Sequence, residues 1–181
     1  MQAEPVLLLA LMAPGSVEAE LGRLQAGIFA EHGLVSAQAL PPLIPIAFLP
    51  DAYPQGMLFK LDKAVRAGWR MSVTGPAWVE GFLYMGVASG GTWAGLRERA
   101  LALRGAERQP LFPPAEGFFM GCGDASPEQR PLIHPAAPAI SFTSGAIAIL
   151  SISSPRGINE WWRELYWETV EERPLRGRRE A

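Results

Sequence analysis

Cysteine is almost absent from this chain: Cys122 stands alone among 181 residues. One thiol can neither close an intramolecular disulfide nor build a cysteine cage for a metal. Histidine is nearly as scarce, with only His32 and His134. A His-rich metal site, or any mechanism needing two matched imidazoles, has to be made from these two or not at all. Lys60 and Lys63 stand against fourteen arginines, an imbalance that codon bias explains as well as function does. The net charge of −2 is too small to draw the whole molecule to a polyanion, so nucleic acid would need a local basic groove. Long hydrophobic runs are missing too. Residues 5–13, PVLLLALMA, are too few to span a bilayer, and Glu4 is the only charge before them. A signal peptide would carry a positive n-region. A buried first strand is the better reading, in a soluble, cytoplasmic chain with no membrane partner.

What the chain does have is apolar content, 49% against 19% charged, which excludes a disordered protein. Its length suits one domain or two small lobes sharing a core. After the first strand, Ser16 offers a helix N-cap, and Val17, Leu21, Leu24 and Ile28 follow at helical spacing up to Gly33. This predicts a helix over 17–32. Leu43 to Leu49 is a short apolar run of strand type. Pro45 within it cannot donate to a ladder, so that strand belongs at an edge or is locally broken. A further helix is expected near 56–67. Strands at 69–73 and 78–87 should flank a turn at Thr74-Gly75-Pro76. A second amphipathic helix should be capped by Thr92, with Trp93, Leu96, Ala100 and Leu103 on one face. Gly117 to Gly121 reads as a strand, 123–138 as a surface loop, and 139–153 as a strand or hairpin bent at Ser144-Gly145. A last strand is expected at 161–170, with a solvated arginine-rich tail from Arg173.

One pattern occurs twice: strand, amphipathic helix, Pro-Pro, apolar strand, with the proline pairs at 41–42 and 113–114. The halves share little sequence, so the repeat is architectural. It predicts an α+β fold of two pseudo-symmetric lobes, each an antiparallel sheet with helices on its outer face, the sheets facing a central cleft. The whole chain, 1–181, then forms a single domain. One lobe takes in roughly 1–50 plus the C-terminal strands, the other roughly 69–138.

That layout resembles the 2H phosphoesterase superfamily, the 2′-5′ RNA ligase and cyclic nucleotide phosphodiesterase (LigT-like) fold. In that family each lobe carries His-x-Thr/Ser-x on an apolar strand, often just after proline. The first such strand is similar to Leu40-Pro41-Pro42-Leu43-Ile44-Pro45-Ile46-Ala47-Phe48-Leu49. The second lobe resembles Phe82 to Val87, the helix after Thr92, and Phe112-Pro113-Pro114 through Met120-Gly121. The ending from Trp161 to Leu175 is similar to the closing strands of some members. The resemblance implies one imidazole as general base and the other as general acid, two hydroxyls on the phosphate, and no metal. This chain departs from it at every one of those positions. Leu43 and Pro45 stand where the first His and Thr would be. Gly117 and Phe119 stand at the second pair, or Ala115 and Gly117 in the other register. None of these side chains titrates, whereas general acid–base help is worth about 10²–10⁴ in rate.

Other residues could take over. His32, at a helix end, reads first as a cap. His134 is a loop residue that could also reach a cleft rim. Cys122 reads as a structural thiol, with no histidine near it in sequence. Ser89-Gly90-Gly91-Thr92 could cradle an anion but lacks the lysine and spacing of a P-loop. Arg70 and Glu80, on strands, could project into the cleft. Trp69, Trp78, Trp161, Trp162 and Trp167 are core or interface residues before they are a base-stacking platform. The cleft candidates are therefore Leu43, Pro45, Gly117, Phe119, Arg70, Glu80 and His134, with no catalytic set, no metal and no cofactor. Three functions compete. One is a catalytically degenerate protein holding a small, phosphorylated or nucleotide-like ligand or a protein partner in its cleft. Another is a phosphodiesterase with relocated catalytic residues. The last is a structural or oligomerisation module whose cleft is filled by Leu43, Phe118 and Phe119. Oligomeric state is left open.

Overall fold

A computed structural model describes residues 5–63, 70–104, 109–143, 145–154 and 160–175. The strands are β1 (Val6–Met12), β2 (Leu43–Leu49), β3 (Arg70–Val79), β4 (Phe82–Ala88), β5 (Gly117–Phe119), β6 (Ser141–Thr143), β7 (Ala146–Ser153) and β8 (Tyr166–Pro174). They form two four-stranded sheets, ordered β2-β1-β7-β8 and β5-β4-β3-β6, with every pairing antiparallel. The helices are α1 (Gly15–His32), α2 (Met57–Asp62) and α3 (Thr92–Arg104). The α+β arrangement of two sheets with helices is as the sequence predicts.

The first strand is apolar on both sides because it lies between β2 and β7 and is covered on both faces. Leu9 and Leu11 pack with α1, α2 and α3. Leu8 and Ala10 join a different cluster on the opposite face. In β2 the predicted consequence of Pro45 is met twice over. The strand is at a sheet edge, and its register slips where Leu9 faces Ala47 but Ala10 faces Pro45, leaving Ile46 as the extra residue. At the end of α1, Gly33 takes the left-handed conformation (φ 72°) and its N–H closes on the Phe29 carbonyl at 2.8 Å.

Several expectations need correction. Ser16 is not the cap: α1 begins at Gly15 after Pro14, with no side-chain capping bond. The α2 helix is shorter than predicted, and 64–67 lie outside the described residues. Thr74-Gly75-Pro76 is not a turn but an irregularity inside β3. It is accommodated because Gly86 opposite has no Cβ, which would come within 2.3 Å of Thr74 Oγ1. The true hairpin loop is Glu80-Gly81, both at positive φ (48° and 87°), the two-residue geometry that matches strand twist. Residues 139–153 are not one hairpin: β6 joins the second sheet and β7 the first. The last strand starts at Tyr166, not Trp161, because Trp161 is drawn into the interior. The 123–138 segment is only partly a surface loop, since Ala125 and Ile133 are buried in the helix-side core.

Edge strands β2 and β5 lie beside one another, and their outer carbonyls are satisfied by side chains. Trp93 Nε1 of α3 donates to the Pro45 carbonyl at 3.1 Å, and Arg97 donates to that of Ile46. Gln25 of α1, only 5% exposed, donates to the carbonyls of Leu40 (3.1 Å) and Phe119 (3.2 Å). Truncating Gln25 strands two buried acceptors. Gln25→Ala is expected to cost about 2 kcal/mol, or about 4–8 °C in Tm for a chain of this size. Thermal unfolding measured by circular dichroism checks this.

Candidate functional site

The faces of the two sheets opposite the helices share one cluster, and this is where the sequence predicts a cleft. Leu43 and Phe119 are both in it, each 0% exposed. Phe119 stacks on Phe112, ring centroids 4.1 Å apart and planes at 26°. Phe48 meets Phe112 edge-on at 5.1 Å, Trp161 approaches Phe112 at 5.2 Å, and Tyr84 meets Phe119 edge-on at 5.7 Å. Phe48, Tyr84, Phe112 and Trp161 are each at most 1% exposed, so solvent does not reach the rings. The Tyr84 hydroxyl donates to the Pro113 carbonyl, tying β4 to the loop that delivers Phe112. The indole N–H groups of Trp161 and Trp162 are buried and have no acceptor among the described residues.

This arrangement is apolar packing. Its one titratable member, Tyr84, has its phenol pushed up by burial first and by the charge of Glu80 second, so it stays a neutral hydrogen-bond donor. Nothing in the cluster can take or give a proton near neutral pH.

No family model matches the sequence, and neither does any curated protein. Solved structures do match it in shape. TT0787 of Thermus thermophilus superposes with a TM-score of 0.61 over 99% of this chain and 100% of its own, at 17% identity. Escherichia coli LigT complexed with 3′-AMP gives 0.59 over 96% and 99%, at 15% identity. A further phosphoesterase gives 0.55 over 94% and 98%, at 16% identity. The fold is that of LigT.

Within this LigT-like fold, Leu43, Pro45, Gly117 and Phe119 are all buried. Gly117 begins β5 as Leu43 begins β2. A Cβ on Gly117 would approach the Met85 carbonyl to 2.8 Å, so this position has no room for a larger side chain without backbone movement. Three of the cleft candidates are not brought to the cluster. Arg70 is exposed at the start of β3, far along that strand from Ala77, the residue level with Tyr84 and Phe119. Glu80 is exposed at the hairpin tip, and His134 is exposed beside Ile133, which is anchored in the other core. Phe118 does not fill the cleft either: alternation along β5 turns it to the helix side, against Phe142 at 5.4 Å.

The remaining candidates have structural partners. His32 lies in the last turn of α1, 3.9 Å from Glu31. The predicted anion cradle before α3 already holds a carboxylate of its own chain. Glu116 accepts from the Ser89 N–H at 3.1 Å and from the Ser89 hydroxyl. It is Ser89 Oγ, not Thr92, that accepts from the helix, through the Trp93 N–H at 3.1 Å. Cys122 is fully buried at φ 69°, and burial, helped by Asp124, pushes its thiol up to about 12. Asp124 is itself held by the Ser36 N–H and hydroxyl. Trp69 and Arg176, Arg178 and Arg179 of the tail lie outside the described residues. Arg173 is paired with Asp62 at 3.0 Å and so is not simply solvated. Among the described residues no three His, Cys, Asp or Glu side chains are grouped to hold a metal ion. No helix there is long and apolar enough to cross a membrane.

The sequence places Trp161 among core or interface residues, in agreement with its burial, but does not mark Phe112, although its signal is present. It precedes Pro113-Pro114 as Leu40 precedes Pro41-Pro42, and both residues enter the same cluster.

Two outcomes follow from this geometry. Trp161→Ala should cost about 3–5 kcal/mol by opening a cavity. Trp161→Phe, which keeps a ring and removes a buried N–H that has no acceptor among the described residues, should cost under about 1.5 kcal/mol; urea unfolding of both variants measures the contrast. Tyr84 and Cys122 hold their protons to higher pH when folded than when unfolded. Stability should therefore be intact below about pH 8.5 and fall as pH rises toward 12, because the unfolded chain releases those protons first. Urea midpoints measured across that range check the sign.

Proposed function

We propose that this chain is a non-catalytic protein on a LigT-type scaffold, which acts by binding a protein partner on its surface. The observation that supports the non-catalytic reading is the Phe112–Phe119 stack, closed over by Trp161 and fully buried, in the space where the resemblance puts the two catalytic strands; with that space filled, binding falls to the surface. A phosphodiester would have to displace aromatic rings held by several edge contacts and by the Tyr84 tether. Once there it would find no base, no acid and no hydroxyl pair. A small ligand in the cleft needs that space to be open. A relocated enzyme needs Arg70, Glu80, His134 or Cys122 to converge on it.

LigT has been crystallised with 3′-AMP, NADP+, phosphate and ATP, and these compounds form the natural test panel. Turnover of 2′,3′-cyclic nucleotides and of 2′-5′ linkages should match the buffer blank. None of the four compounds should raise Tm, whereas a ligand at about 100 times its Kd would add about 2.7 kcal/mol. A shift of several degrees, or turnover lost on His134→Ala, would overturn the proposal. Phe112→Ala should cost about 3–5 kcal/mol and leave a dry cavity that takes up benzene, visible as a Tm increase absent from the parent protein.

A further inference from the structure

The four sheet edges among the described residues are treated very differently. β2 and β5 are covered by each other and by Trp93, Arg97 and Gln25. β6 is three residues long. β8 is nine residues long, pairs only with β7, and exposes Tyr166 (62%), Trp167 (37%) and Val170 (49%). Those side chains interrupt an acidic sequence in which Glu168, Glu171 and Glu172 stand against Arg173. Arg173 is turned inward onto Asp62 and lies over the Phe59 ring at 4.7 Å, so the outer edge carries the charge of the glutamates. The register with β7 sets their faces. Glu168 and Glu171 lie level with Ser151 and Ile149 toward the helices, and Glu172 lies level with Ala148 on the opposite face. Val170 falls where the register shifts between Ile149 and Leu150.

We infer that the outer edge of β8 receives an extended basic segment of a partner protein as a fifth strand of the first sheet. Backbone pairing supplies the affinity common to strand addition, and side chains on alternate faces supply the selection. A basic residue opposite Glu168, whose carboxylate accepts from the Tyr166 hydroxyl at 3.4 Å, and another near Glu172 meet acidic side chains. An apolar residue between them covers Val170. A second copy of this chain is the less suitable occupant, because antiparallel self-pairing about Val170 sets Glu172 of each copy level with Glu168 of the other. This inference rests on the reading that the chain works by binding, and names the surface and the class of partner.

The test uses the intact protein and capped nine-residue peptides, matched to the strand's nine residues, of valines carrying lysines three positions apart, which an extended chain turns to opposite faces. Hydrogen exchange should slow across 167–173 when the peptide binds, and binding should weaken as salt rises. Glu168→Lys combined with Glu172→Lys, both exposed and outside either core, should weaken it about tenfold while leaving Tm unchanged. An N-methylated version of the peptide, which cannot pair, should not bind. Absence of protection in β8 would overturn the inference while leaving the non-catalytic reading intact. So would equal binding of a glutamate–valine peptide, or a parent dimer that the double variant abolishes without any peptide effect. Phosphodiester turnover would overturn the reading itself, and the peptide measurement is independent of it.

Discussion

The architecture depends on how two buried sheet edges are closed. An edge strand exposes a row of carbonyl and amide groups, and burying such a row without partners costs as much as the lost bonds are worth. Here β2 and β5 lie against one another, and each is served by a helix side chain. Gln25 serves the Phe119 carbonyl, while Trp93 and Arg97 serve those of Pro45 and Ile46. The pattern is reciprocal, a helix from each half of the chain donating to the strand of the other. It explains why a glutamine sits in the buried stripe of α1, and why Pro45, which needs no acceptor for an N–H it lacks, is tolerated there.

Joining the edges this way brings the two non-helical faces together, and what fills the space between them is set by side-chain type. A catalytic cleft needs polar groups kept hydrated and poised. Leu43, Phe48, Tyr84, Phe112, Phe119 and Trp161 instead form contacts at the spacings of an ordinary aromatic core. The proline pairs matter on both sides. They deliver Leu40 and Phe112 from equivalent points in the two halves into the same cluster, so the internal repeat of the sequence becomes a symmetric plug.

Much of the fold is legible from the sequence, and the failures have identifiable causes. β2 is legible to the residue because a run of seven apolar residues bounded by prolines leaves little choice. The helix end at Gly33 follows from its positive φ. The segment 74–76 misleads because Gly-Pro signals a turn as readily as a bulge, and only the missing Cβ of Gly86, across the sheet, decides between them. The position of Trp161 cannot be read locally: tryptophan fits a strand as well as a plug, and its partners Phe112 and Phe119 are distant in sequence. Of the candidate site residues, Leu43 and Phe119 lie buried between the sheets, while Phe118 is turned to the helix side by one step of strand alternation. Arg70, Glu80 and His134 are exposed away from that cluster, and nothing short-range in the sequence says which way an exposed polar residue faces.

Local rules are broken where function demands it, and core regions obey them. By that criterion the space between the sheets is core: rings stack, and the strand carbonyls beside it have donors. Violations occur at Trp78, Arg130, Glu80 and Cys122, and residues 160–175 hold several more together. Trp161 and Trp162 bury indole N–H groups without an acceptor among the described residues. Glu164 sits at φ 57° although it is not glycine, a conformation that costs free energy. β8 then slips its register against β7 and presents Tyr166, Trp167 and Val170 to solvent along an edge. An ordered, reachable edge can take an added strand, and the glutamates, the register shift and Pro174 are features that discourage indiscriminate pairing there. The same backbone that closes two of its edges with side chains leaves β8 paired on one side only among the described residues, and that asymmetry is the physical ground on which strand addition at β8 is proposed.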